Sequence, residues 1–251
     1  MNILCFIFSW KGQYENAVFL EKQFSKLGLE VIVINSDDEV EKGNWINIGD
    51  ECYFSDQFRK ALEIFNKSEA EFFFHVQADA SYEDWRSVIS SAESSFSEYQ
   101  WGVFAPNVDD TFYISTRTDV FDLGNDKKVV ATTDNTCWIV HKDIINELNN
   151  NINLMEGNHL GWGWDLLICG FSHIKQRKVI RDYSITVNHP KSTGYMKETA
   201  EKEMFDMFGK CPDELKRVIY YIKQEPNKIC EYYGVQVEEK GSILIYDTEI
   251  M

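Results

Sequence analysis

Glu71-Phe72-Phe73-Phe74-His75-Val76-Gln77-Ala78-Asp79-Ala80-Ser81-Tyr82-Glu83-Asp84-Trp85 is the stretch whose reading decides the fold. Residues 72–76 are an apolar run of the length of a strand buried on both faces, as strands of parallel sheets are. The run ends in Gln77-Ala78-Asp79, a short polar break. A helix signal follows at once: Ser81 is placed to cap it, Asp84 lies three residues on, and Trp85, Val88, Ile89, Ala92 and Phe96 recur at helical spacing. Strand, break and helix make the unit of an open α/β sheet, where ligands collect outside the carboxyl ends of the strands. A carboxylate at position 79 is where a metal or a phosphate-bearing ligand would be met. The same residue type also serves a plain turn.

Upstream, residues 3–8 read as the first strand. Ala17, Leu20, Phe24 and Leu27 mark a helix that Gly28 stops, and residues 31–34 are a second buried strand. Such a β-α-β unit crosses over right-handedly. The second strand ends in Asn35-Ser36-Asp37-Asp38. A short strand at 45–48 and a helix carrying Phe54, Phe58, Leu62 and Phe65 lead into the central stretch. Ser9-Trp10-Lys11-Gly12 after the first strand is no Gly-x-Gly-x-x-Gly, so a dinucleotide fingerprint is absent.

Downstream of a strand at 101–105 the rhythm changes. Residues 112–115 and 128–132 read as short strands joined by an Asp/Asn/Gly-rich loop, 118–126. A strand at 136–141, a helix from Asp143 and a polar loop at 149–158 follow. Next come Leu160-Gly161-Trp162-Gly163-Trp164-Asp165, a glycine-hinged entry to a helix, and strands near 179–180 and 184–187 that end in Asn188-His189-Pro190. Two helices are expected in the tail, one over 196–208 and one with Pro212 in its first turn; residues 243–246 read as an edge strand. The economical organisation is one α/β domain with a mostly parallel central sheet, residues 1–195, and a helical C-terminal extension, 196–251.

Lys and Arg number 25 against 41 Asp and Glu, a formal charge of −16 with no basic cluster. That balance argues against binding nucleic acid or an anionic membrane through bulk electrostatics. The six cysteines show neither a C-x-x-C pair nor zinc spacing. No apolar run reaches the roughly 18 residues of a membrane span, and the N-terminal residues lack a basic leader and a cleavage site. A soluble, cytoplasmic protein is expected, with peripheral membrane association left open.

Three residues stand at chemically suggestive places. Asp79 is a hard oxygen ligand suited to Mg²⁺ or Mn²⁺, and the imidazole of His189 tilts the preference toward Mn²⁺. Asp165 opens a helix, which lowers its pKa unless burial beside Trp162 and Trp164 raises it. A carboxylate there suits a general base, and equally a helix cap. His189 also fits a strand-end histidine with a structural partner, and both tryptophans also fit a loop packed onto the core.

Asn35-Ser36-Asp37-Asp38, Gln77-Ala78-Asp79, Gly161-Trp162-Gly163-Trp164-Asp165 and Val187-Asn188-His189-Pro190, in this strand order, resemble a GT-A-fold glycosyltransferase, close in layout to the family 2 enzymes, over about residues 1–195. The resemblance implies a Rossmann-like domain that transfers a sugar from a nucleotide-sugar donor, a UDP-sugar favoured, to a glycan or glycolipid acceptor, with inversion and with Mn²⁺ or Mg²⁺. The family carries Asp-x-Asp at the central break; here Gln77 replaces the first Asp. Asp79 and His189 would be the metal ligands and Asp165 the catalytic base. Ser9, Trp10, Asn35, Asp37, Gln77, Asp79, Trp164, Lys191 and Tyr195 would bind the nucleotide sugar. Two other readings compete. A sugar nucleotidyltransferase would want a glycine-rich basic loop near residue 10, and a non-catalytic GT-A-like binding protein would explain Gln77.

Overall fold

The computed structural model describes residues 1–190 and 196–235. The first half winds as β1 (Ile3–Trp10), α1 (Tyr14–Lys26), β2 (Glu30–Ser36), β3 (Ile46–Asn47), α2 (Phe54–Phe65), β4 (Phe72–Gln77) and α3 (Trp85–Tyr99). β1 runs parallel to both β2 and β4, with β3 parallel outside β2. Because side chains alternate across a strand, β1 feeds two cores at once. Leu4, Phe6 and Phe8 pack with Phe58, Leu62 and Phe65 of α2 on one face. Cys5 and Ile7 pack with Leu20 and Phe24 of α1 on the other. Strands buried on both faces are why 3–8 and 72–76 are continuous apolar runs.

The second half adds β5 (Val103–Val108), α4 (Ser115–Thr118), β6 (Asp119–Gly124), β7 (Lys127–Val130), β8 (Cys137–His141), α5 (Lys142–Asn150), α6 (Trp164–Ile174) and β9 (Val179–Val187). The sheet order is β3-β2-β1-β4-β8-β5-β9-β7-β6. The parallel arrangement continues in β5 with β9, but β8 enters antiparallel between β4 and β5. The β6–β7 hairpin closes the edge, β7 lying antiparallel to β9.

Three expectations change here. Residues 118–126, expected as loop, are largely β6, the edge strand, whose only buried residue is Val120; without an apolar run it reads as polar loop. Its turn places Asn125 (φ 52°) and Asp126 (φ 57°) in the left-handed region, the backbone of a tight two-residue hairpin. Residues 112–115 are not a strand but a connection entering α4. The two strands expected near 179–180 and 184–187 are one, β9, whose pairing with β5 shifts register between Pro106 and Asn107. Arg181 and Asp182 interrupt its apolar pattern although both are buried.

In the tail, α7 (Lys197–Lys210) and α8 (Asp213–Gln224) follow, with Pro212 just ahead of α8, and a 3-10 helix covers Pro226–Tyr233. Leu215, Val218, Ile219 and Ile222 of α8 pack into the α2-side core. The approach to α6 is close: a Cβ on Gly170 would sit 2.9 Å from Leu215 Cδ1. The edge strand expected at 243–246 lies outside the described residues.

Candidate functional site

Asp79 and His189 meet because the chain segments after β4 and β9 are joined. Ser81 N donates to Asn188 O and Asn188 N to Ser81 O, both at 2.9 Å, an isolated antiparallel bridge. Ser81 is thus a bridge residue and not the cap expected of it; the cap of α3 is Asp84, whose carboxylate accepts from Ser87 N at 3.3 Å. Flanking this bridge, His189 Nε2 lies 3.5 Å from Asp79 Oδ1. Burial raises the Asp79 pKa; the His189 charge opposes the shift and Asp134 adds to it. Asp79 Oδ1 is buried and accepts no hydrogen bond. Among the described residues no three or more His, Cys, Asp or Glu gather as a protein-only metal cage. The pair offers two ligating side chains, so an ion held there would have to take its remaining positions from ligand oxygens and water. Gln77, half-buried at the end of β4, donates its backbone N–H to Thr136 O at 2.9 Å.

Asp165 sits in the first turn of α6 behind two glycines that the geometry requires. Gly161 (φ 94°) and Gly163 (φ 104°) are left-handed. A Cβ at Gly161 would fall 2.5 Å from the Phe54 ring, and one at Gly163 would fall 2.4 Å from Met207 Cε. The loop is thereby pressed between α2 and α7, and Asp165 is left 5% exposed. Its carboxylate accepts from the Tyr113 hydroxyl. Burial pushes its pKa up to about 6, against the Tyr113 hydrogen bond and backbone N–H groups at Asp165 and Leu166, with Asp134 pushing the same way as burial. The Tyr113 phenol is raised well above its ordinary value by burial and by Asp165, so it remains the donor. A buried carboxyl poised near neutrality can take and return a proton.

One segment, 109–113, ties these groups together. Asp109 Oδ1 accepts from His189 N at 2.6 Å, Thr111 Oγ1 donates to Asp134 Oδ2 at 2.6 Å, and Tyr113 donates to Asp165. Alternate residues point inward, while Phe112 (70% exposed) and Ile114 (47%) face solvent. The segment is held from beneath by Arg181, a buried side chain of β9 that donates to Tyr113 O at 2.6 Å, Thr118 Oγ1 at 3.2 Å and Thr132 O at 3.0 Å. Asp109, Thr111, Tyr113 and Arg181 are absent from the residues singled out in the sequence. The available signal was the acidic pair Asp109-Asp110 just past a buried strand, the same kind of position that drew notice to Asp37 and Asp79.

At the other corner, Ser9 pairs with Asn35 and Trp10 with Ser36 across β1 and β2. Gln57 of α2 donates to Ser9 O at 2.7 Å and Ile34 O at 3.2 Å, locking the strand ends. Asn35 Nδ2 donates to Asp37 O at 2.8 Å, and Asp37 Oδ1 accepts from Glu39 N at 3.0 Å. Ser9 and Asn35 lie below the surface, where Ser9 Oγ and Asn35 Oδ1 have no hydrogen-bond partner. Trp10 is the half-buried aromatic residue of this corner.

Trp164 is not a cleft residue. It is fully buried, its Nε1 donates to Ser55 Oγ at 2.8 Å, and its ring lies 4.6 Å from that of Phe58. The helix starts at Trp164 itself, and this phase turns the ring into the core. Trp162 is half-buried, and its carbonyl accepts from Asn158 Nδ2 at 2.9 Å. Lys191 and Tyr195 lie outside the described residues.

No protein-family profile and no curated protein matches the sequence. Among solved structures, the chain is similar to S. aureus TarS 1–349 in complex with UDP-GlcNAc, with a TM-score of 0.56 and 13% identity over 92% of this chain and 70% of that one. It is also similar to GalNAc-T7 with UDP, GalNAc and Mn²⁺, with a TM-score of 0.55 and 8% identity over 93% of this chain. The match spans about half, 55%, of the GalNAc-T7 chain. A CMP:2-keto-3-deoxy-manno-octonic acid synthetase complexed with CTP superposes less well, at a TM-score of 0.47. The fold is that of the GT-A glycosyltransferases.

Proposed function

We propose that this chain is a glycosyltransferase that moves a sugar from a nucleotide-sugar donor to a hydroxyl of a glycan or glycolipid acceptor, inverting the anomeric centre. The observation that carries the reading is one arrangement at the carboxyl ends of β4 and β9 of a GT-A-like sheet. There the Asp79–His189 pair is tied to Asp165 through the 109–113 segment, which meets His189 N at Asp109, Asp134 at Thr111 and the α6 carboxylate Asp165 at Tyr113. A UDP-sugar is favoured as donor, in keeping with the UDP and UDP-GlcNAc held by the two similar structures.

In this reading Asp79 and His189 hold Mn²⁺ or Mg²⁺, which when bound supplies positive charge against the donor diphosphate. Gln77 contributes a neutral amide at the same edge, where the related enzymes carry an acid. Trp10 stacks on the nucleotide base and Asp37 borders it, with Ser9 and Asn35 supporting from below. Lys191 and Tyr195 are the residues proposed to bind the phosphates, on their residue types and sequence position after His189 alone. Asp165 takes the proton of the acceptor hydroxyl as that oxygen attacks opposite the departing diphosphate, which inverts the centre. Residues 1–195 are assigned the donor and acceptor core and 196–251 a C-terminal extension, whose described part, 196–235, packs its α8 against that core. No helix among the described residues is long and apolar enough to cross a membrane; a cytoplasmic enzyme of surface polysaccharide or glycolipid synthesis, peripheral at most, is the setting proposed.

The test is a panel of UDP-, GDP-, CMP- and dTDP-sugars, each with and without Mn²⁺, read as release of nucleotide. Mn²⁺-dependent release of UDP from a UDP-sugar is expected. Release of pyrophosphate from a nucleoside triphosphate and a sugar phosphate would show a nucleotidyltransferase instead. Binding of a sugar with no turnover of any donor would show a non-catalytic protein.

A further inference from the structure

The base of the proposed reaction is gripped by a side chain that no sequence motif marks. The Tyr113 hydroxyl donates to Asp165 Oδ2, and the tyrosine itself is fixed at three points. Counting that hydroxyl as one, the other two are its own N–H, which donates to Thr111 Oγ1 at 3.1 Å with Thr111 in turn anchored on Asp134, and the Tyr113 carbonyl, which accepts from the buried Arg181 at 2.6 Å. A buried arginine serving carbonyl and hydroxyl oxygens is a costly anchor for a surface loop. Tyr113 is half-buried with its phenol inside, whereas its neighbours Phe112 and Ile114 are exposed, so packing of the segment's other side chains does not account for the anchoring.

We propose that Tyr113 is a positioning residue for Asp165: its hydroxyl fixes the carboxylate's orientation and favours the ionised form from which the carboxylate takes a proton. The inference rests on the proposed role of Asp165 for its catalytic consequence, but not for the interaction itself. Other groups facing Asp165 do not substitute for the phenol. Asp134, from the loop before β8, repels the charge. Cys169, one turn along α6, is held neutral because burial pushes its thiol up to about 12. Arg181 turns its donors to Tyr113 O, Thr118 and Thr132. Lys223 on α8 feels the Asp165 charge, but its ammonium also lies against the Phe205 and Phe208 rings, 5.6 and 5.3 Å from their centroids.

The experiment is a ¹³C-carboxyl NMR titration of the full chain, with the Asp165 resonance identified by its loss in Asp165→Asn. In Tyr113→Phe the midpoint should rise by about one pH unit, since a hydrogen bond to a charged group accounts for a shift of that order. The acid limb of kcat/KM should rise with it while the high-pH plateau falls less than about tenfold. A purely structural tyrosine would lower the plateau and leave both midpoints in place, which would overturn the proposal. Thr111→Val keeps the phenol and frees the segment from Asp134; it should give a smaller upward shift, and serves if Tyr113→Phe does not fold. An unshifted midpoint in folded Thr111→Val would likewise overturn the proposal. If the NMR midpoint moves and the rate profile does not, the interaction stands and Asp165 is not the base.

Discussion

Asp165→Asn should make the protein a far poorer catalyst and, at neutral pH, relieve it of an electrostatic cost. In the native state the carboxyl is raised to about 6, first by burial, whereas an unfolded aspartate lies near about 3.9. The native state therefore binds this proton more tightly. Stability from this group is fully present below about pH 4, is lost as pH rises through about 6, and is flat above. The full loss is about two pKa units, or roughly 3 kcal/mol, and about half of it falls between about pH 5 and about pH 7.5. Asparagine does not titrate and can still accept from Tyr113. It places an amide where backbone N–H groups point, a pH-independent cost of about 1–3 kcal/mol. Urea denaturation of both proteins at about pH 5 and about pH 7.5 cancels that constant. The variant should gain on wild type by about 1.5 kcal/mol from the lower to the higher pH, while turnover falls by about two to four orders of magnitude. A stability difference unchanged with pH, or near-normal turnover, would refute the reasoning.

Trp164→Ala should cost about 3–5 kcal/mol of stability in urea denaturation and leave donor affinity per folded molecule unchanged, because the ring belongs to the core beside Phe58. Gly163→Ala meets both a left-handed φ and Met207 Cε; it should destabilise by about 1–3 kcal/mol and, by moving Asp165, lower kcat more than it raises KM. His189→Ala should weaken Mn²⁺ activation by about ten- to a hundredfold in a metal titration, a loss typical of a disturbed metal site.

The legible part of the fold was the part whose burial is local. β1, β2 and β4 lie in the parallel half of the sheet, so their residue types announce them without reference to distant chain. β6 was invisible because an edge strand buries one residue in six and takes its remaining polar residues from the loop alphabet. The reversed entry of β8 between β4 and β5 could not be read either, since direction is decided by a partner some 60 residues away. The meeting of Asp79 and His189 was approached through ligand chemistry and a family resemblance, not through the chain geometry. Its physical device, the Ser81–Asn188 bridge, is two backbone hydrogen bonds that side-chain types do not encode. Trp164 misled because a tryptophan beside a glycine hinge looks like a sugar platform until helix phase turns it inward. Tyr113 escaped because the segment carrying it alternates like a short strand.

The most direct measurement is a thermal shift of wild type and Asp79→Asn with UDP, with and without Mn²⁺. Ligand that binds only the native state at about a hundred times its Kd stabilises by about 2.7 kcal/mol, a readily detected rise in Tm. Wild type should be stabilised by UDP strongly only when Mn²⁺ is present, and Asp79→Asn should lose that metal-dependent increment while keeping its unliganded Tm. Equal stabilisation with and without metal, or an increment untouched by Asp79→Asn, would contradict a donor site built on Asp79 and His189.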